Sequence, residues 1–421
     1  MIEELCARFG IGGRLRDAAR AAYARTSALQ YPAQRQVAAN VLQAFLDEGI
    51  AESDLAGTLG YGYDDAARAR YESLLARVLG AERALARLSI VSGTHAIVAA
   101  LAACTPAPRA LLAISGAPYD TLRSAICDAP HALVRDGIEY REVALAEDGG
   151  IDMTAVAGAL AQGDVATVFI QRSRGYAPRR SLSVAECERA ARSVKEIAPG
   201  ALVLVDNCYG ELVEAREPSQ AGADIVMGSL IKNLGGSLAP AGAYVAGRAE
   251  VVDRVAARLF APGLGAALGP TLGFGRALCQ GLFLAPSIVE QCLRGLDFVA
   301  ALFAELGYVV QPRAGETRTD IVQAVRLGTP DRLLRFAAGL QSAMPLNARF
   351  RPVPGAVPGY ADPVLMSSGA FVAGATIELS CDAPMRAPYE VYVQGAVSAA
   401  HAYLGALFAA RAVGFSEPRK P

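Results

Sequence analysis

Histidine is scarce in this chain: 421 residues hold only three, His95, His131 and His401. A histidine-rich metal centre or a histidine-based triad is therefore poorly supplied, and no metal site is expected. Eight cysteines are present, yet no two form a Cys-x-x-Cys pair. That disfavours a zinc site and a disulfide framework, and it fits a reducing, cytoplasmic compartment. Net charge is nearly absent, at −1, so there is no basic footprint for nucleic acid and no acidic tail. Long apolar runs are missing too. The most apolar stretch, Ile97 to Ile114, is broken by Pro106, Pro108 and Arg109, so no membrane span is expected. The polar opening "MIEELCARFG" lacks a signal-peptide pattern. With so few side chains suited to unaided chemistry, demanding reactions call for a cofactor.

Apolar residues, by contrast, make up 53 % of the chain, enough for large cores, and the length suggests two domains. Residues 1–57 read as a helical N-terminal segment, with "RQVAANVLQAFLDEGI" as its clearest helix. Beyond a glycine-rich loop, "AGTLGYGYDD", short apolar runs alternate with helices. "ALLAIS" (110–115), "ATVFIQ" (166–171), "ALVLVD" (201–206), "DIVMGS" (224–229) and "AYVAG" (243–247) read as strands. "SVAECERAARSVKEIA" (183–198) is an amphipathic helix between two of them. Continuous apolar strands alternating with helices predict an α/β domain, its mostly parallel sheet covered on both faces. This large domain is expected over 58–300, and a smaller α+β C-terminal domain over 301–421.

Several polar residues fall at the ends of these strands. Asp206 closes "ALVLVD", at the carboxyl edge where open α/β sheets bind ligands. Tyr209 follows three residues on. Ser229 closes "DIVMGS", and Lys232 stands in the next loop. "VSGTHAI" puts Gly93 and Thr94 at a helix start, where free backbone N–H groups suit a phosphate. Tyr119, in "GAPYD", is placed to stack on a planar ring. Each piece alone has a commoner explanation as a cap, a turn or core packing. Together they form a phosphate cradle, an aromatic lid, a carboxylate and a lysine, which is the equipment for pyridoxal 5′-phosphate. A lysine amine forms a Schiff base with the cofactor, and a carboxylate keeps its ring nitrogen protonated.

The segments "AGTLGYGYDD", "IVSGTHAI", "PYDTL", "IQRSRGY", "VDNCYGE", "GSLIKNLGG", "APAGAYVAGR", "QGLFLAP", "PGY" and "APYEVYVQG" carry a resemblance over nearly the whole chain. The sequence resembles the methionine γ-lyase-like group of fold-type-I pyridoxal-phosphate enzymes, often labelled "aluminium resistance protein". That resemblance implies a seven-stranded-type sheet domain and a role for each site residue. Lys232 would carry the cofactor, Asp206 would pair with the pyridine nitrogen, and Tyr209 would bond the ring 3′-oxygen. Gly93, Thr94 and Ser229 would hold the phosphate. Tyr119 would stack on the ring and act as a second acid–base group. In related γ-lyases a Tyr-x-Arg from the neighbouring subunit reaches the phosphate; here the place reads Tyr61-Gly62-Tyr63, without the arginine. A homo-oligomer, dimer or tetramer, with a site shared between subunits is therefore expected. Arg386 is the choice for the substrate α-carboxylate, because a guanidinium fork matches that group, and Arg174 is its competitor. Leu234 and Ser237 stand where the related loop has Pro and Gly, so the pocket mouth is expected to differ.

The expected reaction is elimination of a γ-substituent (thiolate, carboxylate or halide) from a small L-amino acid. The alternatives are β-elimination or γ-replacement, and, from another class, a non-catalytic relative linked to metal tolerance.

Overall fold

Val203, Leu204 and Val205 are all fully buried. A strand whose consecutive side chains all avoid water must be covered on both faces, because successive residues point to opposite sides. The computed structural model, which describes residues 1–415, shows how this comes about. Seven strands form one mixed sheet: β1 Arg83–Arg87, β2 Ala110–Ala113, β3 Glu139–Glu142, β4 Val165–Gln171, β5 Leu202–Asp206, β6 Ile225–Ser229 and β7 Ala243–Gly247. Their order is β1-β7-β6-β5-β4-β2-β3. Strands β3, β2, β4, β5 and β6 run parallel, while β7 is antiparallel to both β6 and β1. On one face, Leu111, Phe169, Leu204, Met227 and Val245 pack with helices Gly93–Cys104 and Ala249–Phe260. Each such buried side chain stabilises the fold by about 1.5–3 kcal/mol.

Local signals set the helix starts. Ser92 caps helix Gly93–Cys104 by accepting the His95 N–H. Ser183 and Glu186 form a reciprocal capping box at Val184–Ile197. The five expected strands form, 243–247 with the same ends and the other four with one end shifted by one or two residues. β1 and β3 carry no such signal. β3 is the polar sequence Glu-Tyr-Arg-Glu at the sheet edge, and β1 begins and ends on arginine.

The chain divides into two compact units, Arg35–Pro286 around the large sheet, and Met1–Gln34 together with Ser287–Pro421. The second unit holds β8 Val309–Gln311, β9 Val322–Arg326, β10 Val364–Ser368, β11 Ser380–Pro384 and β12 Glu390–Gln394. They form an antiparallel sheet in the order β10-β11-β12-β9-β8. Residues 416–421 of the expected small domain lie outside the described residues. The division also differs from the expected boundaries at 57/58 and 300/301. The first helices belong with the C-terminal end of the chain: Phe9 meets Phe408 edge-on at 5.3 Å, and Tyr23 meets Tyr403 at 5.9 Å. Tyr31 donates to Asp297 at 2.6 Å. Partners this remote in sequence leave no mark on local composition. Among the described residues no helix is long and apolar enough to cross a membrane, and none of their His, Cys, Asp and Glu side chains cluster as a metal site would need.

Candidate active site

The carboxyl ends of β4, β5 and β6 lie side by side, with Gln171 opposite Asp206 and Asp206 opposite Met227. Asp206 is 4 % exposed, and its Oδ1 accepts the Cys208 backbone N–H at 3.1 Å. Burial pushes its carboxyl up, while the Lys232 ammonium and the Cys208 N–H pull it back. Lys232 shows the complementary balance. Burial opposes its charge, yet Cys208, Tyr209 and Asp206 outweigh that and hold it above the usual lysine range. Cys208 is itself pushed up, by burial first and then by Asp206.

Lys232 Nζ lies 3.7 Å above the centroid of the Tyr209 ring. Tyr209 adopts a φ of +70°, a left-handed conformation that costs a non-glycine residue about 1–2 kcal/mol. The loop is held there by groups beneath it. Arg172, fully buried, donates to Asn207 Oδ1 at 2.7 Å and to the Gly210 carbonyl at 2.9 Å, and pairs with Glu214. Asn207 and the Leu212 N–H both donate to Glu217, at 2.8 and 2.7 Å. Asn233, next to Lys232, donates its amide to the carbonyls of Tyr209 at 3.0 Å and Glu211 at 2.8 Å. One asparagine thereby ties the lysine loop to the tyrosine loop.

The phosphate-type cradle stands at the same edge. A Cβ added to Gly93 would lie 3.3 Å from Cys208 Sγ and 3.5 Å from Ser229 Cβ, so the helix start, the end of β6 and the loop after β5 converge. Ser92 caps at His95, and the first N–H groups of the helix have no partner within it. Thr94 Oγ1 and Tyr119 Oη are 2.7 Å apart. The Tyr119 N–H donates to Gln171 Oε1 at 2.8 Å. Burial first, then the Asp206 charge, keeps the Tyr119 hydroxyl protonated. Arg179, bonded to the carbonyls of Ser115 at 3.2 Å and Ser173 at 2.6 Å, adds positive charge that Asp206 feels.

Of the residues singled out in the sequence, Gly93, Thr94, Tyr119, Asp206, Tyr209, Ser229 and Lys232 are thus brought to one edge of the large sheet. Arg174 is 2 % exposed and engaged with its own loop, its N–H on Ser181 Oγ at 3.1 Å and its guanidinium on the Ala177 carbonyl at 3.4 Å. Tyr61 and Tyr63 are 75 % and 57 % exposed. Arg386 belongs to the other unit, partly exposed, 3.9 Å from Asp362. The supporting residues Arg172, Asn207, Asn233, Glu217 and Arg179 were not evident from the sequence. Their signal is faint: polar side chains beside the strand ends, inside or next to the segments "IQRSRGY", "VDNCYGE" and "GSLIKNLGG".

Only three lysines occur in the chain. Lys195 is committed to Asp224 and the Ala201 carbonyl, both at 2.7 Å, and Lys420 lies outside the described residues. Among the described residues, Lys232 is the lysine beside a buried carboxylate and a helix N-terminus at the carboxyl edge of a doubly covered sheet. This fold and site define the class of fold-type-I pyridoxal-phosphate proteins. The methionine γ-lyase family model matches residues 15–413, and the chain belongs to that family, a group of carbon–sulfur lyases whose cofactor is pyridoxal 5′-phosphate. The site fits that group: a glycine-lined helix start for the phosphate, a buried carboxylate for the ring nitrogen and an amine for the aldehyde. An uncharacterized Bacillus subtilis protein, YnbB, is 41 % identical over 86 % of each chain. A carbon–sulfur lyase involved in aluminium resistance from Clostridium novyi superposes with a TM-score of 0.91 at 35 % identity over 97 % of both chains. A proposed cystathionine β-lyase involved in aluminium resistance from Clostridium acetobutylicum gives 0.92 at 37 % identity, again over 97 % of both.

Proposed function

We propose that the protein eliminates a γ-substituent, a thiolate first among candidates, from a small L-amino acid, with Lys232 as the residue that carries the cofactor. The observation that carries this reading is the convergence of Lys232, Asp206, Tyr209 and Ser229 with the Gly93 helix start. When bound, pyridoxal 5′-phosphate supplies an aldehyde that links to an amine and a ring that takes up the electron pair left by a departing proton.

The chain's own residues do the rest. Gly93, Thr94 and Ser229 hold the phosphate. Asp206 would stand opposite the ring nitrogen; burial raises its carboxyl, and Lys232 and the Cys208 N–H oppose that rise. Tyr209 would orient the ring oxygen, and Tyr119 would cover the ring, burial holding its hydroxyl proton in place. Lys232 would accept the α-proton at its Nζ and then serve the β-carbon, the second abstraction that γ-elimination needs. Arg386 pairs with the substrate carboxylate in this reading, its guanidinium fork matching that group, with Arg174 as its competitor. Tyr61 and Tyr63 reach a neighbouring copy's phosphate, which makes a cytoplasmic homodimer or tetramer the working form.

A second reading has a specific observation behind it: the Clostridium acetobutylicum relative is described as a proposed β-lyase. Product carbon count separates the two. A γ-thioether amino acid plus water yields a thiol, ammonia and 2-oxobutyrate, whereas a cysteine-type substrate plus water yields a thiol, ammonia and pyruvate. The test is a panel of γ- and β-substituted amino acids run in heavy water. Deuterium on the β- and γ-carbons of 2-oxobutyrate supports γ-elimination. Pyruvate alone, with no γ-substituted amino acid turned over, overturns it.

A further inference from the structure

Two residues beyond Tyr209 stands Glu211, a carboxyl with no exposed surface at all. A buried carboxyl has to be paired, or else keep its proton. Glu211 has no basic side chain bonded to it. Its Oε1 accepts the hydroxyl of Tyr244, on β7, at 3.0 Å. Its Oε2 is buried and has no hydrogen-bond partner among the described residues. Its own backbone carbonyl accepts the Asn233 amide at 2.8 Å, the bond that ties this loop to Lys232.

Space has been left for this pair. A Cβ on Gly228 of β6 would stand 2.6 Å from Glu211 Oε1 and 2.9 Å from the Tyr244 hydroxyl, closer than any side chain can come. The glycine before Ser229 therefore admits a buried acid, seated on Tyr244, beside the strand that leads to Lys232. The charged and titratable groups that Glu211 faces are Lys232 on the loop after β6, Tyr244 on β7, Glu217 across its own loop, and Cys208.

We propose that Glu211 is a positioning residue for Lys232: its carbonyl, through Asn233, fixes the lysine loop on the Tyr209 loop, and its carboxyl, seated on Tyr244, sets the charge that Lys232 meets. The role rests on Lys232 being the residue that carries the cofactor. Burial, reinforced by Glu217 and opposed by Lys232 and Tyr244, pushes the Glu211 carboxyl up to about 8. It is neutral near pH 7 and becomes an anion as pH rises. The anion favours the protonated form of the lysine nitrogen.

The first readout is the pH titration of the visible absorbance of the holoenzyme. Glu211→Gln keeps the shape and withholds the anion that forms above about pH 8, so the alkaline part of the transition should fall by about one pH unit, as expected for losing one nearby charge in a partly desolvated site. Tyr244→Phe withdraws the hydroxyl that favours the anion. It should lower the transition by less, and the double variant should match Glu211→Gln alone. A Glu211→Gln holoenzyme whose transition stays where the wild type's lies would overturn the proposal.

The second readout needs no cofactor. A carboxyl raised above its unfolded value of about 4.3 leaves the folded state holding the extra proton, so its stability contribution is complete below that value and is lost as pH rises through about 8. Urea midpoints of the cofactor-free chain between pH 5 and 9, values chosen on that principle to bracket about 8, should fall more steeply for wild type than for Glu211→Gln. Equal slopes refute the buried acid. If wild-type protein shows no visible band with pyridoxal 5′-phosphate, the functional reading fails while this arm still tests Glu211.

Discussion

Two glycine-containing loops of the large unit answer the same chemical expectation in opposite ways. The loop after β6 turns Lys232 inward, onto Tyr209, with Asn233 fully buried beneath it. The loop 56–65 turns Tyr61 and Tyr63 outward into solvent. The difference is not one of order. Asp65, 1 % exposed, accepts from Thr58 N and Oγ1, Arg68 N and Thr271 N, each at 2.8 Å. Arg68 in turn donates to the carbonyls of Gly269 at 2.8 Å, Tyr63 at 3.1 Å and Ala267 at 3.2 Å, and to that of Gly62. Gly62 sits at φ +63°, and any side chain there would strike the Pro270 backbone at 2.6 Å. The loop is pinned firmly while Tyr61 and Tyr63 stay exposed, and the proposal that a second copy of the chain covers them rests on that contrast. The lysine loop, by contrast, is held through Asn233 on the carbonyls of Tyr209 and Glu211.

Removing the inward element should have the largest effect. Lys232→Ala should fold, as judged by an unchanged circular-dichroism spectrum, and should lose turnover by roughly 10²–10⁴-fold or more, the scale of general acid–base help. Borohydride reduction with cofactor should then leave no label on residue 232. Near-normal activity would dissolve the contrast between the two loops. Asp206→Asn should come next. Exchange of the substrate α-proton, followed by NMR in heavy water, should slow more than substrate binding weakens, because the ring nitrogen loses its counter-charge.

The outward loop is tested by mixing. Tyr63→Phe alone should be impaired, and mixing its subunits with those of Lys232→Ala should restore activity if sites are shared, provided the subunits exchange. A fully active monomer by light scattering would reduce the loop to a surface feature. The smallest effect concerns the loop's anchor. Burial pushes the Asp65 carboxyl up, but the Thr271, Arg68 and Thr58 donors outweigh it and bring it down to about 2. Because the folded value is depressed, this stabilisation is present above the unfolded value and is lost as pH falls toward 2. Asp65→Asn should lower stability by about 1 kcal/mol at neutral pH, the scale of a lost helix cap. Urea midpoints between pH 2 and 5 should fall less steeply in the variant, the window set by that linkage.

Much of the site was legible because buried parallel strands are continuous apolar runs, and the residue that ends such a run stands at the sheet edge. Asp206, Ser229 and Lys232 were readable for that reason. Arg172, Asn207 and Glu217 were not, because each looks like an ordinary polar loop residue until its partner arrives from up to 42 residues away. The same holds at larger scale for Phe9 and Phe408, whose contact assigns the first helices to the C-terminal unit.

The sequence by itself determined the alternating α/β architecture, the strand ends that carry the chemistry and the helix caps, since these depend on apolar period and on neighbours within a few residues. Tertiary structure alone decided that β7 and β1 run against their neighbours, that Asn233 ties Lys232 to Tyr209, and that Tyr61 and Tyr63 face outward. Those outcomes depend on which backbone groups meet once the chain has closed on itself, and an unpaired buried donor or acceptor costs too much for that choice to be made locally.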